Sequence, residues 1–340
     1  MNLALPRLIG ITQGVRVPST RFRWSQYEAY LKKNGFDVSE SISTVGAYAP
    51  ASQIHRPAWL AATVTESLRR TICANRFDLR FLQRNLTATL CTWEPLLRKP
   101  FVFDVDDAIF LGPRGPSADR IARYASLIIC GNNFLADHFS KFGSVAVLPT
   151  AVDDTLFVPR VGPPIERPVI GWSGSSSGFK YLYGIEAAIK RLLNMHPDSL
   201  FKVIADKAPV FKSLPPEQVI YEPWSPDREV AVLHEFTVGV MPLEDDLWSR
   251  GKCSFKMLTY MAAGLPVVVS PVGMNVEILA NKSCGFGAKS LDDWVDAISC
   301  LLTEPTLASE MGCQGRQIIR EKYALSVIAP QLAHVLKEQL

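Results

Sequence analysis

The sequence of 340 residues lacks several features that would assign it to common protein classes. Its seven cysteines form no C-x-x-C pair and no cluster with the five histidines at zinc spacing, which favours a reducing cytosol over a disulfide or zinc framework. No stretch approaches the roughly 18 uninterrupted apolar residues that span a bilayer. The G-x-G-x-x-G fingerprint and the P-loop pattern are also missing, so nicotinamide and ATP binding receive little support.

The N-terminus and the charge distribution bear on where the protein acts. The segment MNLALPRLIGITQG has no long apolar region and contains Arg7, so we expect no signal peptide and a cytoplasmic protein. Residues 1–160 hold 19 Lys and Arg against 13 Asp and Glu (+6), and the remainder holds 17 against 20 (−3). A basic half suits an anionic acceptor or an acidic inner membrane face, although ordinary scatter of surface charge explains it equally well. We expect no nucleic-acid partner.

Strand and helix patterns alternate along the whole chain, which predicts an α/β fold with parallel sheets. The length suggests two domains. Five prolines between Pro149 and Pro168 mark the boundary. We therefore predict domains at 1–160 and 161–322, with a C-terminal helix at 323–340 that packs back on the first domain. The predicted strands cover residues 7–12, 36–38, 79–82, 101–103, 127–130, 145–148, 169–172, 201–204, 219–221, 238–241 and 267–269.

The stretch 248–273, WSRGKCSFKMLTYMAAGLPVVVSPVG, is predicted to form a glycine turn, a helix and a buried strand. Apolar residues recur at helical spacing from Phe255 to Ala262, Gly264 stands where a helix ends, and Pro266 prevents continuation. The run Val267–Val269 is typical of a strand buried on both faces. Amides at such a helix start can hold phosphate, although an ordinary α/β unit would show the same pattern.

Two further loops combine small or basic residues with a predicted helix start. At 173–178, SGSSSG lets backbone amides close on a pyrophosphate, and Lys180 follows in the first turn. At 14–23, GVRVPSTRFR concentrates arginines, and Ser19 is predicted to cap the helix. Because loops at strand carboxyl ends carry sites in parallel sheets, we favour an anion-binding surface there over a solvated helix start.

Three carboxylates, Asp104, Asp106 and Asp107, follow the predicted strand at 101–103. They could ligate Mg²⁺, act as a general base, or cap the next turn and form ion pairs. Like charges this close together are expected to raise the pKa of at least one carboxyl group. The sequence leaves these three roles open.

Together these motifs resemble the GT-B glycosyltransferases, specifically the large retaining group that uses nucleotide-sugars (group 1, family 4-like). The resemblance spans about residues 7–325. In the second half it rests on G-W-S-G-S at 171–175, V-G-V-M-P-L at 238–243 and the run RGKCSFKMLTYMAAGLPVVVSPVGMNVEI at 250–278. In the first half, P-S-x-R-F-R at 18–23, F-D-V-D-D-A-I-F at 103–110 and C-G-N-N-F-L at 130–135 are similar to a subgroup.

This resemblance implies two Rossmann-like domains facing a central crevice and a role in cell-surface polysaccharide biosynthesis. It implies sugar transfer from a nucleotide-sugar to a glycan or lipid-linked acceptor, with retention and with no metal or resident cofactor. The implied catalytic residues are Asp106, Lys180 and Lys252. The implied donor-binding residues are Gly14, Ser173, Gly174, Ser175, Lys180, Glu244, Arg250, Gly251, Lys252, Cys253, Ser254, Gly273, Asn275 and Glu277. The implied acceptor-binding residues are Arg16, Ser19, Arg21, Arg23, Gln83 and Arg84.

The chain departs from this family in three places. Gly251 and Thr259 stand where most members carry a Glu-x7-Glu pair, which leaves Glu244 or the adjacent Asp245 to contact the sugar. Gly174 occupies the place of the arginine that partners the diphosphate lysine, so we expect Lys252 or Arg250 to supply that charge. The first-domain histidine near the acceptor is replaced by the acidic cluster around Asp106.

Two other functions fit the same sequence. One is a nucleotide-sugar 2-epimerase on the same architecture. The other is a non-catalytic nucleotide-sugar or glycan-binding protein, which the missing Glu pair favours.

Overall fold

The computed structural model describes residues 4–14, 17–45, 49–87, 89–112, 114–162, 165–280 and 283–340. The chain forms two compact units. Unit 1 comprises residues 1–151, 251–253 and 325–340, and unit 2 comprises residues 152–250 and 254–324. The chain passes from unit 1 to unit 2 at 151/152, and the Val152 amide donates to the Tyr323 carbonyl at 2.9 Å within unit 2.

Unit 1 contains a parallel six-stranded sheet in the order β2-β1-β3-β4-β5-β6. The strands at 79–83, 101–105 and 127–130 are buried throughout, as their largely apolar sequences predict. The order reverses between β1 and β3, so the loops that follow these strands flank the switch point of the sheet. The strands are β1 (Arg7–Thr12), β2 (Asp37–Ile42), β3 (Leu79–Gln83), β4 (Phe101–Val105), β5 (Leu127–Cys130) and β6 (Val145–Val147).

The helices of unit 1 connect these strands. They are α1 (Pro18–Arg23), α2 (Glu28–Lys33), α3 (Arg56–Ala74), α4 (Pro116–Ala122) and α5 (Asn133–Phe139). The first helix begins at Pro18 and Val17 takes the cap position, so the prediction that Ser19 caps it is wrong. Proline suits the first helical position because its missing N–H would have no intrahelical acceptor there.

Unit 2 contains a second parallel sheet in the order β12-β11-β10-β7-β8-β9. This is the Rossmann order, with its switch point between β7 and β10. The strands are β7 (Val169–Ser173), β8 (Leu200–Ala205), β9 (Val219–Pro223), β10 (Val238–Met241), β11 (Val267–Val269) and β12 (Gly285–Gly287). The sequence did not indicate β12, since two of its three residues are glycine.

The sheet shares an apolar core with residues of 179–184, 186–195, 291–303 and 305–318. The helices of unit 2 connect its strands. They are α6 (Phe179–Gly184), α7 (Glu186–Met195), α8 (Leu247–Arg250), α9 (Phe255–Ala262), α10 (Met274–Leu279), α11 (Leu291–Thr303) and α12 (Pro305–Ile318). The pattern at 179–195 predicts one helix, but the structure has α6 and α7, separated at Ile185.

The last helix, α13 (Leu325–Lys337), returns to unit 1. Its apolar side joins the core beside β1, β3 and the segment around Trp24 through Ile328, Leu332 and Leu336. Among the described residues, no helix is long and apolar enough to cross a membrane.

Candidate active site

The loop after β7 is held in a fixed shape at the switch point of the second sheet. The Ser173 amide donates to the Tyr260 hydroxyl at 2.8 Å, and the Gly174 amide donates to the Ile204 carbonyl at 2.9 Å. Farther along, the Ser176 amide and hydroxyl donate to the two carboxylate oxygens of Asp206 at 2.5 and 2.9 Å. Burial acts to raise the pKa of Asp206, but these bonds outweigh it and lower that pKa.

The loop after β10 brings acidic residues to Lys180 near the start of α6. The Lys180 ammonium lies 3.4 Å from a Glu244 carboxylate oxygen and 3.9 Å from one of Asp246. Burial alone would lower the pKa of Lys180, but Tyr181 and Glu244 raise it, so the side chain is a cation at neutral pH. The structure thus brings together Lys180 and Glu244, which the family resemblance names as donor-binding residues.

Arg250, the residue expected to replace the missing arginine, lies in an ion pair on the same loop. Its Nε donates to Asp245 at 2.8 Å, and about half of each side chain is exposed. Asp245 is therefore occupied by a cation, which leaves Glu244 as the acid nearest Lys180.

A second lysine, Lys256 in the first turn of α9, lies against the loop after β7. A Cβ added to Gly174 would fall 2.3 Å from the Lys256 Cε and 2.8 Å from the Trp172 ring. The Lys256 ammonium lies 5.4 Å from the centre of the Trp172 ring. Lys256 was not among the residues that the sequence indicated. The pattern that could have indicated it is a glycine at the family's arginine position together with a lysine in the first turn of α9.

The start of α9 contains an unusual backbone conformation. Ser254, at the cap position, has φ +51° and ψ +23°, in the left-handed region, although it is not glycine and is almost fully buried. Thr259, in place of the family's second acid, donates its hydroxyl to the Lys256 carbonyl at 2.9 Å.

Three of the predicted donor-binding residues lie at or in α10, and the first of them, Gly273, packs against the backbone of Arg250. Gly273 has φ +55°, and a Cβ there would fall 2.8 Å from the Arg250 carbonyl oxygen, so only glycine fits. Asn275 is fully buried and donates to the Ser270 carbonyl at 2.9 Å, and its Oδ1 has no hydrogen-bond partner within the described part of the chain. Glu277 is exposed on α10.

Residues Gly251–Cys253, which the sequence places in the donor domain, form a strap that belongs to unit 1. The Cys253 Sγ donates to the Asp106 carbonyl at 3.1 Å, and the Asn132 side-chain amide donates to the Lys252 carbonyl at 3.1 Å. Gly251 leaves no room for a side chain, because a Cβ there would fall 2.6 Å from the Ala108 Cβ. The structure therefore places Lys252 beside the acidic cluster of unit 1.

The acidic cluster is a set of ion pairs with two arginines. Asp104 is buried against Arg23, whose Nε lies 3.1 Å from Oδ1, and Arg23 also donates to the Leu148 carbonyl at 2.7 Å. Arg84 bridges the other two carboxylates, with Nε 2.6 Å from Asp106 and Nη2 2.7 Å from Asp107.

These contacts shift the pKa values of the three carboxyl groups in different directions. Burial raises the pKa of Asp104 against the opposing charge of Arg23. Burial also raises the pKa of Asp107, with the Asp106 charge adding to it, while Arg84 and Lys252 oppose the shift. For Asp106 the effect of burial is outweighed by Arg84, so its pKa is lowered. Asp106 is therefore a stable carboxylate. The raised pKa that crowding predicts is found at Asp104 and Asp107 instead.

The residues predicted to bind the acceptor lie at different depths in unit 1. Gln83 is buried and accepts a hydrogen bond from the Thr20 hydroxyl at 2.8 Å. Gly14, which the resemblance assigns to the donor, is also buried and has φ +90°. Arg21 stacks over Phe22 at 4.5 Å and is half-buried, as is Ser19. Arg23 is withdrawn into the core by Asp104, so it does not form part of an exposed basic surface. Arg16 lies outside the described residues.

Metal coordination is the third role that the sequence left open for the acidic cluster. Across the ranges that the structure describes, no group of three or more His, Cys, Asp and Glu side chains could hold a metal ion. The three carboxylates instead face the guanidinium groups of Arg23 and Arg84. The ion pairs that the sequence offered as one of the three roles are therefore present.

Comparison with known proteins finds a family match within unit 2 and similar folds over the whole chain. Residues 167–304 match the family model described as Glycosyl transferases group 1. The chain is similar to sucrose-phosphate synthase from Thermosynechococcus elongatus, with a TM-score of 0.73 and 14% identity over 98% of both chains. It is similar to a glycosyltransferase from Rickettsia africae (0.71, 12%, 99% of both chains). It is also similar to Anabaena HepE in complex with UDP and glucose (0.71, 14%, 98% of this chain and 100% of that one).

None of the curated protein sequences compared matches this chain. At such low identities the solved structures establish the fold, and the family match covers the segment that carries the loop after β7, Lys180, Lys256 and α10. The predicted GT-B architecture, with its two parallel six-stranded sheets, is confirmed. Residues 167–304 therefore match the glycosyl transferases group 1 family, and the chain as a whole has the GT-B fold of its structural neighbours.

Proposed function

We propose that the chain transfers a sugar from a nucleotide-sugar to a glycan or lipid-linked acceptor, with retention of configuration and without a metal. A UDP-sugar is the first donor to test, since the similar HepE structure was obtained in complex with UDP-glucose, and an E. coli trehalose-6-phosphate structure with UDP-2-fluoro glucose. A place in the biosynthesis of cell-surface polysaccharide suits such an acceptor.

The observation that carries this proposal is the pairing of Lys180 with Glu244 beside the loop at 173–178. These residues come from the two loops that flank the switch point of the second sheet, where ligands bind in open α/β sheets. An ammonium group next to a tight loop suits a diphosphate, and a carboxylate next to it suits the hydroxyl groups of a sugar.

The chemistry requires charge stabilisation more than proton transfer by a side chain. As the bond between the sugar C1 and the diphosphate oxygen breaks, negative charge grows on the diphosphate, and Lys180 stabilises it. The acceptor oxygen bonds to C1 on the face that the diphosphate leaves, and its proton passes to a diphosphate oxygen. Asp106 stays ionised beside Arg84, so it does not donate a proton. We assign to Asp106 and Lys252 the role of orienting neighbouring groups in unit 1.

The test compares Lys180→Ala with Lys190→Ala, a control that removes an exposed lysine from α7. Lys180 is 53% exposed, so its loss should leave the fold intact. A nucleoside diphosphate at about 100 times its Kd stabilises a protein by roughly 2.7 kcal/mol, which a thermal-shift panel of UDP, ADP and GDP detects. We expect Lys180→Ala to lose this stabilisation and sugar transfer, and Lys190→Ala to keep both. Unchanged binding and turnover in Lys180→Ala would contradict the proposal.

The same protein preparation separates the proposed transfer from epimerisation. Incubation with nucleotide-sugar and no acceptor should leave the sugar unchanged, whereas an epimerised sugar still attached to its nucleotide would show a 2-epimerase. With acceptor, NMR of the product should show the anomeric configuration of the donor. Activity should survive EDTA, and its loss would refute the metal-free mechanism.

Peripheral membrane association is the second part of the proposal, and the start of α3 supports it. The buried residues of α3 begin at Thr63, so its first seven residues extend beyond the core of unit 1. Ile54, just before the helix, is 87% exposed and Leu60 is 40% exposed, and Arg56 lies between them in the sequence. Apolar side chains flanked by a cation in a half with net charge +6 suit an anionic lipid surface.

Vesicle flotation tests this surface. We expect binding to vesicles containing phosphatidylglycerol, weaker binding to pure phosphatidylcholine, and loss of binding in Ile54→Asp/Leu60→Asp. Ile72→Asp is the matched control, because Ile72 is 55% exposed near the other end of the same helix. Binding that is equal in the double variant and the wild type would exclude this surface.

A further inference from the structure

We infer that Lys256 supplies the second positive charge of the diphosphate site, in place of the arginine that Gly174 replaces. The inference rests on the proposed function and names a residue outside the family pattern. It concerns contacts within unit 2 alone.

The geometry places Lys256 where a side chain from position 174 would otherwise extend. A Cβ on Gly174 would lie 2.3 Å from the Lys256 Cε, so the lysine stem fills the space beside the glycine. The Trp172 ring borders the same space, with the Lys256 ammonium 5.4 Å from its centre. A glycine at 174 and a lysine at 256 therefore form a complementary pair, and the cation reaches the loop from α9 instead of from the loop itself.

The charge balance near the loop shows why a second cation is needed. Lys180 faces two carboxylates, Glu244 and Asp246, and Asp206 accepts hydrogen bonds from the loop residue Ser176. Together with Lys207, whose charge acts on Asp206, these groups carry a net charge of −1, which disfavours a diphosphate. A further cation reduces this repulsion, and Lys256 lies directly against the loop.

The two residues that the sequence suggested for this role each interact with a carboxylate. Arg250 is paired with Asp245 at 2.8 Å, and Lys252 belongs to unit 1, where its charge acts on Asp107. Lys256 also stands in the first turn of α9, where the helix dipole disfavours a cation. A diphosphate beside it would reverse this penalty.

The test uses Lys256→Met, which keeps the aliphatic stem over Trp172 and removes the charge, and Lys256→Arg, which keeps the charge. Lys190→Met is the matched control. Calorimetry measures the Kd of UDP and, by competition, that of uridine, which has no phosphate. We expect Lys256→Met to weaken UDP roughly 10- to 100-fold, the value of a hydrogen bond to a charged group. Uridine binding should be unchanged, and Lys256→Arg should retain UDP binding.

The outcomes distinguish this inference from the proposed function. If Lys256→Met binds UDP like the wild type while Lys180→Ala does not, the inference is refuted and the proposed function stands. If Lys256→Met weakens uridine as much as UDP, the charge is not what matters and the inference is also refuted. If the wild type binds no nucleoside diphosphate, the proposed function fails first.

Discussion

Substitution of Arg23 tests whether this residue stabilises the fold or binds the acceptor. The family resemblance assigns it to acceptor binding, whereas the structure pairs it with Asp104 inside unit 1. The Arg23 and Asp104 side chains are 3% and 1% exposed. Replacing Arg23 with methionine keeps most of the volume but leaves the Asp104 carboxyl group and the Leu148 carbonyl without their donor.

The size of the effect follows from that burial. Breaking a buried ion pair by removing one partner costs about 3–5 kcal/mol. Such a loss corresponds to a fall in Tm of roughly 6–20 °C, at about 2–4 °C per kcal/mol for a unit of 150–250 residues. In Arg23→Met/Asp104→Leu no charge is left unpaired, so much of the loss should be recovered.

The assay is thermal unfolding followed by circular dichroism, with Arg21→Met as the neighbouring control. Arg21 is half-buried and stacks on Phe22, so its loss should cost about 1 kcal/mol or less. The reasoning would be refuted if Arg23→Met unfolded within about 2 °C of the wild type, under 1 kcal/mol, while losing sugar transfer. That result would place Arg23 in the acceptor site.

Two further predictions concern the loops of unit 2. Ser254→Gly should change stability by about 1 kcal/mol or less, because relief of the left-handed strain offsets the entropy that glycine loses, whereas Ser254→Val should cost about 1–3 kcal/mol; equal Tm values for both variants would contradict this. For Asp206→Asn, the lowered folded pKa means that the carboxylate stabilises the loop above its ordinary pKa of 3.8 and that this is lost as pH falls through the folded pKa. The stability difference between this variant and the wild type should be about 1 kcal/mol or less, because the group is exposed. The corresponding difference in Tm should therefore narrow between pH 6 and pH 3. A constant difference in Tm would show that charge is not involved.

The fold was predictable because its signals are local and repeated. Runs such as Val267–Val269 and Leu127–Cys130 mark strands buried on both faces, and the glycines after helices mark where they end. What failed was also local. Ser19 is a good capping residue in isolation, but the helix starts at Pro18 with Val17 at the cap position, two residues earlier than a Ser19 cap implies. Gly285–Gly287 forms a strand through its pairing with β11, not through its own composition.

The candidate site was only partly predictable, because charges find partners across the fold. The family resemblance assigned both Lys180 and Glu244 to the donor site, and the structure places them 3.4 Å apart after two strands at the switch point of the second sheet. The sequence could not show that Arg23 turns inward to Asp104, 81 residues away. Nor could it show Lys256 beside Gly174, because that contact depends on how α9 packs against β7.

The strap at 251–253 and the final helix have a consequence for how the protein is made. Unit 1 opens before unit 2 along the chain, yet it needs residues 251–253 and the core side chains of α13. Because α13 follows all of unit 2 in the sequence, it leaves the ribosome after unit 2. Unit 1 therefore cannot complete its core before unit 2 is synthesised, whereas the first domain of a chain generally folds first. Unit 2 ends at residue 324 and can finish folding earlier. The order of folding is therefore the reverse of the order in which the two units begin, and a fragment ending before residue 325 would leave the apolar surface of the first sheet without its last helix.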